Sequence, residues 1–297
     1  MAEAVCWQVA GVNVMRNVAE QVTDAEMAAY ARLIYDRTGI HISPQKKLLL
    51  SNRVRRRLNA TGCADFSSYL ALLHRLPDND PEWDALLHEV TTHETYLFRD
   101  EAQWDWFSET YLREVEGAAS AGLRPRKLRI WSAACSSGDE AYTIAACVAG
   151  GLDLSAWQVR ILGTDIAAGA IEAAQKATFT ERAMRLVPPS LRLQFFEEVQ
   201  GGQLWQPRPL LTELVRFQQH NLLHPARSRR FDVVFLKNVL IYFDSRSKRV
   251  AMEHIRAAIA PGGWLVCGAA EGVSDLLSDY ERFRPWLFRK PGGPRHG

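Results

Sequence analysis

No apolar stretch of this 297-residue sequence is long enough to cross a bilayer. The longest uncharged runs, 141–152 and 257–270, are short, and the second is broken by Pro261, Gly262 and Gly263, so membrane insertion is not expected. The residues ahead of Arg16 include Glu3 and no base, so the positive start of a secretory leader is missing too. Cysteine is sparse: Cys6, Cys63, Cys135, Cys147 and Cys267 stand singly, an odd number with no CxxC. That pattern signals neither a disulfide framework nor a zinc site, and it fits a reducing, cytoplasmic setting. His74, His88, His93, His220, His224 and His254 form no HExxH or Cys/His cluster, so no metal is expected. An excess of one charge is also missing, because 36 Lys and Arg against 34 Asp and Glu leave +2. No global field draws the chain onto nucleic acid, and an acidic partner has to be met by a local patch.

What is present is ordinary globular material: 47% hydrophobic and 24% charged residues, without an internal repeat, enough for one large domain or two modest ones. Over 23–76 the apolar residues recur at helical spacing. Thr23 or Asp24 can cap the run Met27, Tyr30, Leu33, Ile34, and Thr38-Gly39 can close it. A second helix is expected over 45–59, entered at Pro44 and stopped at Thr61-Gly62. Pro77 to Pro81 breaks the pattern, and 83–89 resumes a helix that links to the second half.

From Lys127 the texture becomes alternating β-rich and helical runs. Strands are expected over 127–133, 159–164, 215–219, 231–236 and 264–268, with helices over 140–148, 167–176 and 246–259 between them. The fold class is α/β: a doubly wound, Rossmann-like domain over 91–291, preceded by a small all-helical domain and linker over 16–90. The proline- and glycine-rich stretch 178–214 fits poorly as a crossover and reads as an inserted β subdomain.

Four segments carry candidate chemistry. The first, 129–140, runs from a strand through small residues, Ala134-Cys135-Ser136-Ser137-Gly138, into a helix opening on Asp139 and Glu140. A dinucleotide site wants GxGxxG, but only Gly138 is present, and the two acids would repel phosphate. A ligand with an amino group, a sulfonium and a ribose but no phosphate suits the turn better, and S-adenosylmethionine is such a ligand. The second segment is Gly163-Thr164-Asp165, whose carboxylate can accept from ribose hydroxyls or cap the next helix. The third, 231–244, is a buried strand that emits Lys237, Asn238 and Tyr242 at its carboxyl end. The fourth, 91–100, sets Arg99 and polar residues beside aromatics at the join of the two halves.

Together these segments resemble the chemotaxis receptor methyltransferase family, CheR, the protein-glutamate O-methyltransferases that use S-adenosylmethionine. TTNETxFFRD resembles 91–100, SAACSTGEEPYS resembles 132–143, FDxIFCRNVLIYFD resembles 231–244 and GGxLxLGxSE resembles 262–271. The resemblance implies that His93, Thr95 and Arg99 contact cofactor or substrate, with Ala134 in the turn and Glu140 at the cofactor's methionine end. It further implies Asp165 on the ribose, Asn221 and Leu222 beside the adenine, Lys237 and Asn238 along the pocket, and S-adenosylhomocysteine as product. Arg99 and Tyr242 match the residues aimed at the reacting centre. The sequence departs from the pattern at His93 for Asn, Asp139 for Glu, Ala141 for Pro, Lys237 for Arg and Ala270 for Ser.

A glutamate carboxylate, with an ordinary pKa of about 4.3, is already ionised at neutral pH, so its methylation needs orientation and a partly dehydrated pocket more than a base. On the helix over 45–59, Leu50, Val54 and Leu58 form the core stripe, and Lys46, Arg53, Arg56 and Arg57 share a neighbouring arc. That arc is either a solvated basic face or, as the resemblance implies, a dock for the glutamate-rich cytoplasmic helices of a chemoreceptor. A monomer is expected. The competing functions are a methyltransferase acting on RNA or a small molecule, and a scaffold that senses the cofactor without turnover.

Overall fold

The structure is a computed structural model, and it describes residues 21–91, 94–226 and 230–292. Thr23 opens α1 (Asp24–Thr38) through a reciprocal capping box with Glu26 that satisfies two otherwise orphaned N–H groups. Gly39 closes α1 in the left-handed conformation, φ 73°, and a Cβ there would lie 2.9 Å from the Ser247 hydroxyl, so glycine is what lets this helix end approach the second domain. The helix expected over 45–59 divides: a 3₁₀ turn, Pro44–Lys46, precedes α2 (Lys47–Thr61), because Pro44 sets a first turn that lacks one N–H. The helices α3 (Phe66–Arg75), capped by Asp65, and α4 (Pro81–Val90) complete a bundle around Tyr30, Ile34, Val54, Leu58, Phe66, Tyr69 and Leu73.

Residues 101–120, unassigned from sequence, are continuous helix: α5 (Glu101–Asp105), a π-helical segment Trp106–Tyr111, and α6 (Leu112–Ser120). They pack Trp104, Phe107 and Tyr111 against the sheet, with the Trp104 ring stacked on Phe235 at 5.2 Å. The chain then alternates β1 (Lys127–Ala133), α7 (Asp139–Gly151), β2 (Gln158–Asp165) and α8 (Ala168–Lys176).

Next come β3 (Phe179–Thr180), α9 (Glu181–Met184), α10 (Pro189–Phe195), β4 (Phe196–Val199), β5 (Leu204–Pro207) and α11 (Pro209–Thr212). Strands β3, β5 and β4 pair antiparallel in a separate small sheet, the β structure expected in that stretch. The main sheet resumes with β6 (Val215–Gln219), β7 (Phe231–Leu236), α12 (Ser245–Ala258) and β8 (Ile259–Cys267), and ends in the hairpin β9 (Glu281–Arg284) and β10 (Leu287–Arg289), which the sequence reading did not anticipate.

The order β6-β2-β1-β7-β8-β10-β9, parallel except that β10 runs antiparallel to both β8 and β9, is a doubly wound sheet. The helical bundle sits over the carboxyl ends of its strands. Ile40 bridges Phe243, His41 N–H donates to the Tyr242 carbonyl at 2.8 Å, and Tyr35 donates to Asp244 at 2.9 Å. Among the described residues no helix is long and apolar enough to cross a membrane.

Candidate functional site

Strand order reverses between β1 and β7, and a cleft opens at their carboxyl ends, roofed by the helical bundle. The chain leaves β1 through Ala134, Ser136 and Gly138 at φ 67°, 50° and 90°. A Cβ at Gly138 would meet Ala174 at 3.0 Å, so only glycine lets α7 start this close to α8. Asp165 braces the turn: one carboxylate oxygen accepts from Ser136 N at 2.9 Å and the other from Ala167 N at 3.1 Å. Asp165 thus holds the segment leading into α8 through the Ala167 N–H and also lines the cleft, with lone pairs to spare.

Glu140 is half-buried on the first turn of α7. It accepts from the Ser132 hydroxyl at 2.6 Å and lies 3.8 Å from the Lys237 ammonium. Burial raises its pKa, and Lys237 opposes that rise. Asp139, beside it, is spent internally on the Ser137 hydroxyl.

Arg99 is carried by a strained turn. Phe98 and Asp100 on either side have φ 57° and 69°, left-handed values unusual for these residues. The strain is held from outside: the Arg99 carbonyl accepts from the Trp104 indole at 2.7 Å and from Lys237 Nζ at 3.0 Å, and Phe98 N–H donates to Thr143. Lys237 itself, with a side chain 4% exposed, also bonds Asp100 at 3.1 Å and stands 5.0 Å from the Trp104 ring. Thr95 lines the cleft; His93 lies outside the described residues.

Opposite, Asn238 takes φ 59° and leads into the 3₁₀ turn Leu240–Tyr242, which presents Tyr242 to the cleft with Lys46 Nζ 5.7 Å from its ring. Beneath this turn Glu271, 1% exposed, accepts from Val239 N at 3.3 Å. Burial raises its pKa, while the N–H groups of 238–241 lower it. Gly268 leaves it room, since a Cβ there would come within 2.7 Å of a Glu271 oxygen. Sequence reasoning assigned no role to Glu271 or Trp104. The only signal was Glu271's place at the end of a motif.

Asn221 and Leu222 line the cleft, and the Asn221 amide is engaged, donating to the Arg37 carbonyl at 2.7 Å and accepting from Leu223 N at 2.9 Å. The basic arc of the second helix does not form one surface. Lys46 and Arg53 line the cleft, where Arg53 donates to the Val90 carbonyl and burial lowers its pKa. Arg56 points outward beside Glu89, 68% exposed. Arg57, expected in the docking arc, is 18% exposed and gripped by Glu82 through two bonds of 2.9 and 2.6 Å, with Tyr69 donating to the same carboxylate. Its place one position from Arg56 turns it toward α4, and the bundle uses its charge internally.

Two carboxylates at the strand ends, a small-residue turn and an apolar wall at Ile166 and Leu222 suit a ligand with an ammonium, a ribose and a purine. An arginine at the other end suits that ligand's carboxylate or an anionic acceptor. Fold and site together define a doubly wound S-adenosylmethionine methyltransferase, and the residues present fit that cofactor. The profile described as "CheR methyltransferase, SAM binding domain" matches residues 93–285, and "CheR methyltransferase, all-alpha domain" matches 25–91. The chain belongs to the CheR methyltransferase family, and S-adenosylmethionine is its cofactor. Relatives described as "Chemotaxis protein methyltransferase" include one of Klebsiella aerogenes, 31% identical over 87% of this chain and 87% of its own length. One of Borreliella burgdorferi is 27% identical over 86% and 91% respectively. "Chemotaxis protein methyltransferase 2" of Vibrio cholerae is 30% identical over 89% and 91%.

Proposed function

We propose that this chemotaxis-family methyltransferase esterifies glutamate side chains on the cytoplasmic helices of chemoreceptors, acting in the cytoplasm as a monomer and releasing S-adenosylhomocysteine. In this division of labour residues 16–90 meet the receptor and 91–291 carry the chemistry. The observation that carries the proposal is the convergence of Arg99 and Tyr242, on two rigid turns, upon the same cleft that Glu140 and Asp165 line.

When bound, S-adenosylmethionine supplies an electrophilic methyl on a sulfonium. Glu140 holds an ammonium, Asp165 accepts from a ribose, and Leu222 and Asn221 border the base. Ala134, Thr95, Lys237 and Asn238 shape the wall between them, and His93 belongs to the same contact set. Arg99 places the acceptor carboxylate through its planar fork, and the Tyr242 hydroxyl orients the attacking oxygen. Neither has to take a proton, because the acceptor is ionised at neutral pH. Lys237 acts by holding the Arg99 carbonyl and balancing Glu140, so the buried anion and cation stand paired. Lys46 and Arg53 at the cleft, with Arg56 beyond it, set a positive field for an acidic helix.

The test is transfer of label from methyl-labelled S-adenosylmethionine to receptor cytoplasmic fragments, read as methanol released by mild base. Label is expected with the native sequence and lost in Arg99→Ala and Tyr242→Phe. Label that resists base, or that appears on RNA instead, overturns the assignment.

A further inference from the structure

The first turn of the inserted structure packs against the 94–97 segment beside the cleft. Leu97 N–H donates to the Ala183 carbonyl at 3.1 Å, Arg182 pairs with Glu94 at 3.2 Å, and the Arg185 guanidinium lies 3.5 Å from the centre of the Tyr96 ring. Tyr96 lines the cleft, and Arg99 stands 5.7 Å from its ring. Arg182 is committed to Glu94. Arg185 is exposed, makes one bond within its own turn, to the Arg182 carbonyl, and has no carboxylate partner among the described residues. A guanidinium stacked on an aromatic ring is fixed in orientation while its N–H edges stay open to a carboxylate.

We infer that the Arg185–Tyr96 stack is a second recognition pad for the acidic substrate helix, set on the insertion's side of the cleft mouth and complementing Lys46 and Arg53 on the helical side. The helix crosses the mouth with one acidic residue in the cleft and a neighbouring carboxylate on Arg185. This inference rests on the receptor-ester reading above.

The experiment measures initial rates of ester formation on an acidic receptor fragment with the full-length protein, together with S-adenosylhomocysteine affinity. Arg185→Glu is expected to raise KM for the fragment about tenfold, with kcat and S-adenosylhomocysteine affinity unchanged. Arg185→Lys keeps the charge but loses the planar stack and should raise KM about threefold. A native protein that esterifies no fragment overturns the reading beneath the inference. A native protein that is active, with a KM unmoved by Arg185→Glu, overturns the pad alone.

Discussion

The two walls of the cleft are built differently. The wall of Ala134–Gly138 and Asp165 is braced across the adjacent strand ends by Ser136 to Asp165, and locally by Ala167 to Asp165 and Ser132 to Glu140. The wall that bears Arg99 and Tyr242 takes left-handed φ at Phe98, Asp100 and Asn238, and it is held by Trp104, five residues from Arg99, and by Lys237 and Glu271 from farther along the chain. The first wall is built largely within one strand–turn–helix unit, with Ala134 and Ser136 at positive φ and Asp165 of the next strand bracing the turn. The second needs a finished tertiary structure before its side chains point anywhere. Cofactor binding should therefore survive changes that abolish positioning, and the reverse should also hold.

The sharpest way to break this separation is at Glu271. Glu271→Ala leaves buried N–H groups of the 238–241 turn without their acceptor, at about 1–3 kcal/mol for each one orphaned. Stability should fall by about 3 kcal/mol in chemical denaturation. With Tyr242 no longer fixed, kcat should fall about a hundredfold while S-adenosylhomocysteine affinity changes less than threefold. Equal losses in both would show that the walls are one unit.

The next largest effect lies on the other wall. Glu140→Gln removes the anion that faces the cofactor's ammonium, and affinity for S-adenosylhomocysteine should drop about thirtyfold by calorimetry, with kcat at saturation little changed. The pH dependence has a definite sign. Burial raises the Glu140 pKa above its ordinary 4.5, so the native state binds the extra proton and this group's contribution to stability falls as pH rises through the raised value, then levels off. Cofactor affinity runs the opposite way, weakening as pH falls through the same value. Glu140→Gln should flatten both curves, and at pH 7 the variant should be no less stable than the native protein. A cofactor affinity that keeps its pH dependence in this variant would assign the titration elsewhere.

The same contrast explains what could be read from sequence. Strands β1, β6 and β7 have the residue ranges expected from their apolar runs, because a buried parallel strand is a local pattern bounded by breakers. The helix over 101–120 was not legible. Its π-helical stretch brings Tyr111 and Leu112 inward in succession, and its aromatics answer Phe235 and Trp264, more than a hundred residues away. In the site, the motif residues that line the cleft stood out by type and spacing. Trp104 and Glu271 did not, since they act on the backbone of other residues and carry no chemistry of their own.

Arg56 and Arg57 offer the smallest effect and the finest test, because they are neighbours in sequence with the same chemistry and different surroundings. Arg57 is bonded twice to Glu82, which also receives the Tyr69 hydroxyl, and the carboxylate side chain is 14% exposed. Removing the guanidinium leaves that carboxylate against a buried phenol, so Arg57→Ala should lower stability by about 2 kcal/mol. Arg56 pairs with Glu89 in solvent, where such a pair contributes about 0–1 kcal/mol, so Arg56→Ala should shift stability by less than about 0.5 kcal/mol. In methylation assays below the melting range the order reverses. Arg56→Ala should raise KM for the receptor fragment about twofold and Arg57→Ala should leave it unchanged, because only Arg56 presents its charge where a docked acidic helix can meet it. A KM raised by Arg57→Ala at full stability would return that residue to the docking surface and show that the bundle opens when the receptor binds.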